Sequence, residues 1–158
     1  MLNEYFTHVT PAVFENDGFL DKFVGDALMA VYSVPLSQAD HAARAVRTAI
    51  DIKRRLATLN LARAARGEAP LQCGVGIHCG PAAAGHIGTR RRSNYSVIGH
   101  TVNLAARIEK LTSHGEILIS QEVRDRIGDA FALQPWRTVE IRGVQEAQDL
   151  FVVVPDLS

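Results

Sequence analysis

At 158 residues, 47% of them apolar and 22% charged, the chain has the size and texture of one globular domain. Its 17 basic residues balance 17 acidic ones, which leaves no net basic surface to hold nucleic acid non-specifically. No apolar run approaches the roughly 20 residues of a membrane span, and the opening residues lack the charged-then-apolar order of a secretion signal.

Leu2–Phe14 is expected to be helical, with Phe6, Val9 and Val13 roughly on one side and Pro11 bending or interrupting it. After the turn Asn16-Asp17-Gly18, the stretch GFLDKFVGDALMAVY divides into two short strands around Gly25-Asp26. A two-residue Gly-Asp loop between apolar strands signals a hairpin, because Gly tolerates the positive φ such turns demand. Simple alternation points Lys22 away from Asp21 and Phe23. From Asp40, whose side chain suits an N-cap, a long helix carries Ala45, Ala49, Ile52, Leu56 and Leu59 as its buried stripe. Arg44, Arg47, Arg54, Arg55, Arg63 and Arg66 read as a solvated face.

From Leu71 to Gly88 small and β-prone residues with frequent glycines read as strands. Cys73 and Cys79 fall there on one face, too extended locally to bridge easily. They read as two buried thiols of a reducing, cytoplasmic setting, and His78 and His86 do not complete a recognisable zinc site. A loop GTRRRSN leads to the strand YSVIG, then to the helix TVNLAARIEKL with Leu104, Ala105, Ile108 and Leu111 inward. The strand EILIS, the short helix QEVRDRIGDAF and the strand pair WRTVEIRG and DLFVVVP close the chain. With no repeat and no linker, residues 1–158 are expected to form one α+β domain, a mixed, mostly antiparallel sheet covered by helices.

Two segments carry chemistry. Asp26, at an exposed turn, offers the oxygen ligand that Mg²⁺ or Mn²⁺ takes, although Asp in a turn is usually a turn residue only. Lys22, among apolar residues, needs a partner or a ligand. Asn103 and Arg107 lie one helical turn apart on one face. An Asn that orients a hydroxyl beside an Arg that meets developing phosphate charge makes half of a phosphoryl-transfer site, but any amphipathic helix has a polar face.

The order and spacing of LNEYF, DGFLDKFVGDALMAVY, DHAARAV, GIHCGPAAAGHIG and YSVIGHTVNLAARIEKL resemble the successive motifs of the class III adenylate and guanylate cyclase catalytic domains. The resemblance implies a ferredoxin-like, polymerase-palm-like fold. It also implies a dimer, by self-pairing or with another cyclase domain, whose active sites lie at the subunit interface. By the same resemblance Asp26 matches the second of two metal aspartates, and Lys22 the base-recognising Lys of adenylate cyclases. Ser96 stands where those enzymes usually have Asp or Thr, and a Ser hydroxyl also accepts from the adenine amino group. Asn103 matches the ribose-orienting Asn and Arg107 the transition-state Arg. Arg142 stands where a triphosphate-contacting Lys is common, keeping its charge with a phosphate-matching fork. Lys22 with Ser96 favours ATP over GTP, so the activity implied is formation of 3′,5′-cyclic AMP and pyrophosphate from ATP with two Mg²⁺ or Mn²⁺ ions.

The sequence departs from the family pattern in two places. An Asp-bearing strand precedes LNEYF in the family, whereas this chain starts at Met1. The expectation is therefore a sheet lacking the first strand and a chain that is weakly active or inactive alone. The second departure is His100, where the family has Asp, with Thr101 expected to share the capping of the helix that follows. A degenerate module that dimerises or binds nucleotide without turnover is the alternative reading. A diguanylate cyclase is disfavoured, because the turn reads Val-Gly-Asp-Ala rather than Gly-Gly-Asp/Glu-Glu-Phe.

Overall fold

The computed structural model describes residues 1–113 and 115–157. Helix α1 (Leu2–Glu15) leads into a hairpin of β1 (Phe19–Val24) and β2 (Ala27–Val31), followed by the long helix α2 (His41–Ala65). Next come β3 (Val75–Ile77) and a second hairpin, β4 (Ala83–Thr89) with β5 (Arg92–Ile98), then α3 (His100–Lys110). The chain ends with β6 (Ile117–Ser120), α4 (Gln121–Ile127), β7 (Leu133–Val139) and β8 (Gln148–Val153).

The central sheet runs β3-β6-β8-β7, with β3 parallel to β6 and the other pairs antiparallel, so the expected α+β class and mixed sheet are present. All four residues of β6 are buried because helices cover both faces of the sheet, which turns an alternating strand into a continuous apolar run. Ile117 and Ile119 pack with Ala42, Val46 and Ala49 of α2 and Val123 and Ile127 of α4. Leu118 faces the other way, into Leu104 and Ile108 of α3. A third cluster joins Val9 and Ala12 of α1 to Ile52 of α2. Each such buried Val, Leu or Ile side chain contributes about 1.5–3 kcal/mol.

Helix α3 lies directly on β3. A Cβ at Gly76 would come within 2.3 Å of the Glu109 amide nitrogen, so only glycine permits this approach. Half-buried Lys53 fastens the same region from the side of α2, donating from Nζ to the carbonyls of Cys73 and Gly115. Burial pushes its pKa down.

Several local expectations change. Pro11 sits inside an uninterrupted α1. Asp40 occupies the N-cap position of α2 without a capping bond; its carboxylate instead accepts from Arg44 at 2.7 Å and Arg47 at 3.3 Å. The arginine face is largely paired: Arg55 meets Glu15 and Asp51, and Arg63 and Arg66 meet Glu4 and Glu68. Only Val75–Ile77 and Ala83–Thr89 are strands within the glycine-rich stretch, and the expected loop GTRRRSN is mostly strand, turning at Arg90-Arg91. Cys73 and Cys79 flank β3 and are half-buried in different clusters, Cys73 with α1 and Cys79 with α2 and α4.

Candidate active site

The first hairpin closes as its sequence requires. Val24 pairs with Ala27, leaving Gly25 (φ +61°) and exposed Asp26 as the two-residue tip. Further down, the register slips between Leu20 and Lys22, so Asp21 is an extra, unpaired residue. Such a bulge re-aims side chains, and the strict alternation assumed for Lys22 does not hold. Lys22 is exposed just beyond it.

The bulge turns Asp21 toward the second hairpin. Ser96, on β5 and 6% exposed, donates from Oγ to both carboxylate oxygens of Asp21, at 2.8 and 3.0 Å. The Val97 amide donates to Asp21 Oδ2 at 3.1 Å. Strand β5 pairs with β4 along one edge only, and Asp21 serves donors on the other. In this way Ser96 and Lys22, 74 residues apart in the chain, come onto touching strands. Sequence reasoning missed Asp21, which it treated only as a neighbour of Lys22; an acidic residue inside an apolar strand was the available signal.

Asn103 and Arg107 project from α3, whose Leu104 and Ile108 are buried against the sheet. Asn103 is exposed and Arg107 half-buried. Arg107 lies against the loop after β7, where a Cβ at Gly143 (φ +87°) would come 2.9 Å from its Nη1. The next residue back is exposed Arg142. A concavity of about 430 Å³ formed by residues 140–147 contains Arg142. Two guanidinium-bearing residues thus share one corner.

Asp26 is not part of that corner. Its charge acts on Glu109: burial pushes the Glu109 carboxyl above the ordinary range, and the Asp26 charge adds to the effect. Residues 107 and 109 are about 200° apart around an α-helix, so Glu109 and Arg107 project from opposite sides of α3. The α3 N-cap is Gly99, without a side-chain capping bond, and Thr101 donates to the Pro81 carbonyl rather than capping. His78, whose pKa is pushed down by burial, hydrogen-bonds Ser120, the residue that caps α4.

With this geometry in view, the comparisons with known proteins are decisive on family. The profile of the adenylate and guanylate cyclase catalytic domain matches residues 1–154. The chain is 33% identical over 156 residues to adenylate cyclase 1 of Rhizobium meliloti, covering 98% of this chain and 24% of that protein. The solved adenylyl cyclase CyaB of P. aeruginosa superposes with a TM-score of 0.93 at 31% identity, covering 98% of this chain and 81% of that one. The guanylyl cyclase Cya2 superposes with a TM-score of 0.92 at 34% identity, covering 98% and 78%. The chain belongs to the class III adenylate and guanylate cyclase catalytic-domain family, whose activity is that of a phosphorus–oxygen lyase. It spans about a quarter of the length of the Rhizobium relative. Among the described residues no helix is long and apolar enough to cross a membrane.

Proposed function

We propose that this domain forms part of an adenylate cyclase site that makes 3′,5′-cyclic AMP and pyrophosphate from ATP. The observation that carries the reading is the hydrogen-bonded contact of Ser96 on β5 with Asp21, the residue that precedes Lys22 on β1. An ammonium donor and a hydroxyl acceptor match the N1 acceptor and 6-amino donor of adenine, and mismatch the corresponding edge of guanine. In the reaction the ribose 3′-oxygen bonds to the α-phosphorus, the bond to the bridging oxygen breaks, pyrophosphate leaves and the hydroxyl proton passes to water. Asn103 orients the ribose, Arg107 meets the charge developing on the α-phosphoryl group, and Arg142 holds the triphosphate.

Asp26, at the tip of the first hairpin, and Asn103 and Arg107, on α3, then belong to a site shared between two subunits. One cyclase domain presents its Asp26 side while another presents Asn103 and Arg107. Exposed Phe23 and Val24 on the first hairpin and Ile87 and Ile98 on the second give such a partner an apolar surface.

Cyclases of this family generally use divalent metal ions. The described residues do not fit a two-ion site within one chain: they contain no cluster of three or more His, Cys, Asp or Glu able to hold a metal. Asp26 alone is one carboxylate, and a metal pair needs ligands for two ions about 3.5–4 Å apart.

Base recognition is tested by exchanging both residues, Lys22→Glu with Ser96→Cys. Competition against a fluorescent nucleotide gives the ratio of ATP to GTP affinity. The ratio falls by up to about tenfold for each hydrogen bond lost; an unchanged ratio removes both residues from base recognition.

A further inference from the structure

Ser96 is buried, small and bonded to a carboxylate, and that combination fixes more than its position. A serine hydroxyl has one proton and two lone pairs, and in water it rotates to suit either a donor or an acceptor. Here both Asp21 oxygens stand within 3.0 Å of Ser96 Oγ, and an ionised carboxylate only accepts. The Ser96 proton is therefore committed to Asp21. At 6% exposure no bulk water competes for it. What remains available on Ser96 is its lone pairs.

Resting on the assignment of Ser96 to the base, we propose that Asp21 is a positioning residue for nucleotide specificity: it locks the Ser96 hydroxyl as an acceptor. An acceptor-only hydroxyl bonds the 6-amino group of adenine and repels the 6-oxo group of guanine. The bulge at Asp21 is the structural means, since it places an unpaired residue of β1 against the free edge of β5. The Val97 amide fixes the carboxylate by occupying Oδ2 at 3.1 Å. Asp21 makes no contact with the nucleotide and acts only through Ser96.

The isosteric change Asp21→Asn inverts the polarity. The Val97 N–H still requires an acceptor, so the amide oxygen takes the Oδ2 place and the NH₂ group faces Ser96. The NH₂ donates to Oγ, and the amide oxygen, 3.0 Å from Oγ and already serving the Val97 N–H, is the one acceptor left to hold the Ser96 proton, which becomes free to turn toward the base. Competition of ATP and GTP against a fluorescent nucleotide on the full chain reads the outcome, with thermal melting confirming the fold. Asp21→Asn lowers the ATP-to-GTP affinity ratio by about tenfold. Adding Asp21→Asn to Ser96→Ala changes the ratio no further than Ser96→Ala alone, and Ser96→Thr keeps the original preference.

A second measurement needs no variant. N6-methyl-ATP and 6-methoxypurine ribonucleoside triphosphate have similar size and the same N1, but only the first donates at position 6. An acceptor-only Ser96 binds the N6-methyl compound at least about tenfold more tightly. Equal affinities for the two analogues, or an Asp21→Asn chain that folds and keeps its ratio while Ser96→Ala loses it, overturn the role of Asp21 alone. A ratio insensitive to Ser96→Ala, or no saturable binding of either nucleotide by the unaltered chain, overturns the base site itself and this inference with it.

Discussion

The contact between Arg107 and Gly143 lets the placement of one guanidinium be tested without removing it. Gly143 has φ +87°, and its missing Cβ would stand 2.9 Å from Arg107 Nη1. Gly143→Ala therefore has two effects. The left-handed backbone costs about 1–2 kcal/mol in stability. The new methyl also displaces the guanidinium by roughly half an ångström, to restore an ordinary contact near 3.4 Å. That movement is cheap in stability because the tip of Arg107 is flexible. It is costly in rate, since a displacement of about 1 Å of a reacting geometry costs on the order of 10²-fold. Half of that shift corresponds to about a tenfold loss of turnover. Gly128→Ala is the control: at φ +56° and ψ −130° it too strains the backbone, and nothing lies within 4 Å of the added Cβ, so it leaves Arg107 where it is. Cyclic AMP formation is measured for both variants in a reconstituted dimer, with thermal melting alongside. If the two variants lose equal stability and turn over equally, Arg107 is not held where its role requires.

Two further outcomes follow from buried charge. Lys53→Met leaves the Cys73 and Gly115 carbonyls without their donor and lowers unfolding stability by about 1–3 kcal/mol in a urea titration; an unchanged midpoint contradicts the bracing of β3 and β6 through α2. The Glu109 pKa is raised in the folded state, by burial first and Asp26 second, so the native state binds the extra proton in a window that begins near pH 4.5 and extends upward. Stability falls as pH rises through that window. Glu109→Gln removes this slope and raises the melting temperature at pH 7 relative to the unaltered chain; a lower melting temperature at pH 7 contradicts it.

What the sequence revealed and what it concealed divide along physical lines. The hairpin at Gly25-Asp26 was legible because a two-residue turn needs a residue that tolerates positive φ, and Gly25 supplies it at +61°. The α2 stripe was legible because helical periodicity survives context: Ala49, Ile52, Leu56 and Leu59 are buried as the spacing requires. Its first turn shifted, with Ala42 and Val46 more deeply buried than Ala45, because β6 and α4 converge there. The bulge at Asp21 was illegible, since an extra residue in one strand appears only against the partner register. Asp40 and Thr101 misled for a related reason. Both can cap a helix, but each found a stronger local claim, Arg44 for Asp40 and the Pro81 carbonyl for Thr101. The motifs located Lys22, Ser96, Asn103, Arg107, Arg142 and Asp26 along the chain. Only the structure shows Arg107 against Gly143, the residue after Arg142.

Complementation is the most direct test of the shared site. The chain is mixed with a complete cyclase domain in which the residues matching Asn103 and Arg107 are both Ala. Cyclic AMP is then measured for each protein alone and for the mixture, with the mixed dimer quantified by light scattering. Either protein alone gives little product, and mixing gives a large increase that Arg107→Ala in this chain abolishes. A folded mixed dimer that makes no cyclic AMP, or full activity from the chain on its own, would contradict the shared site.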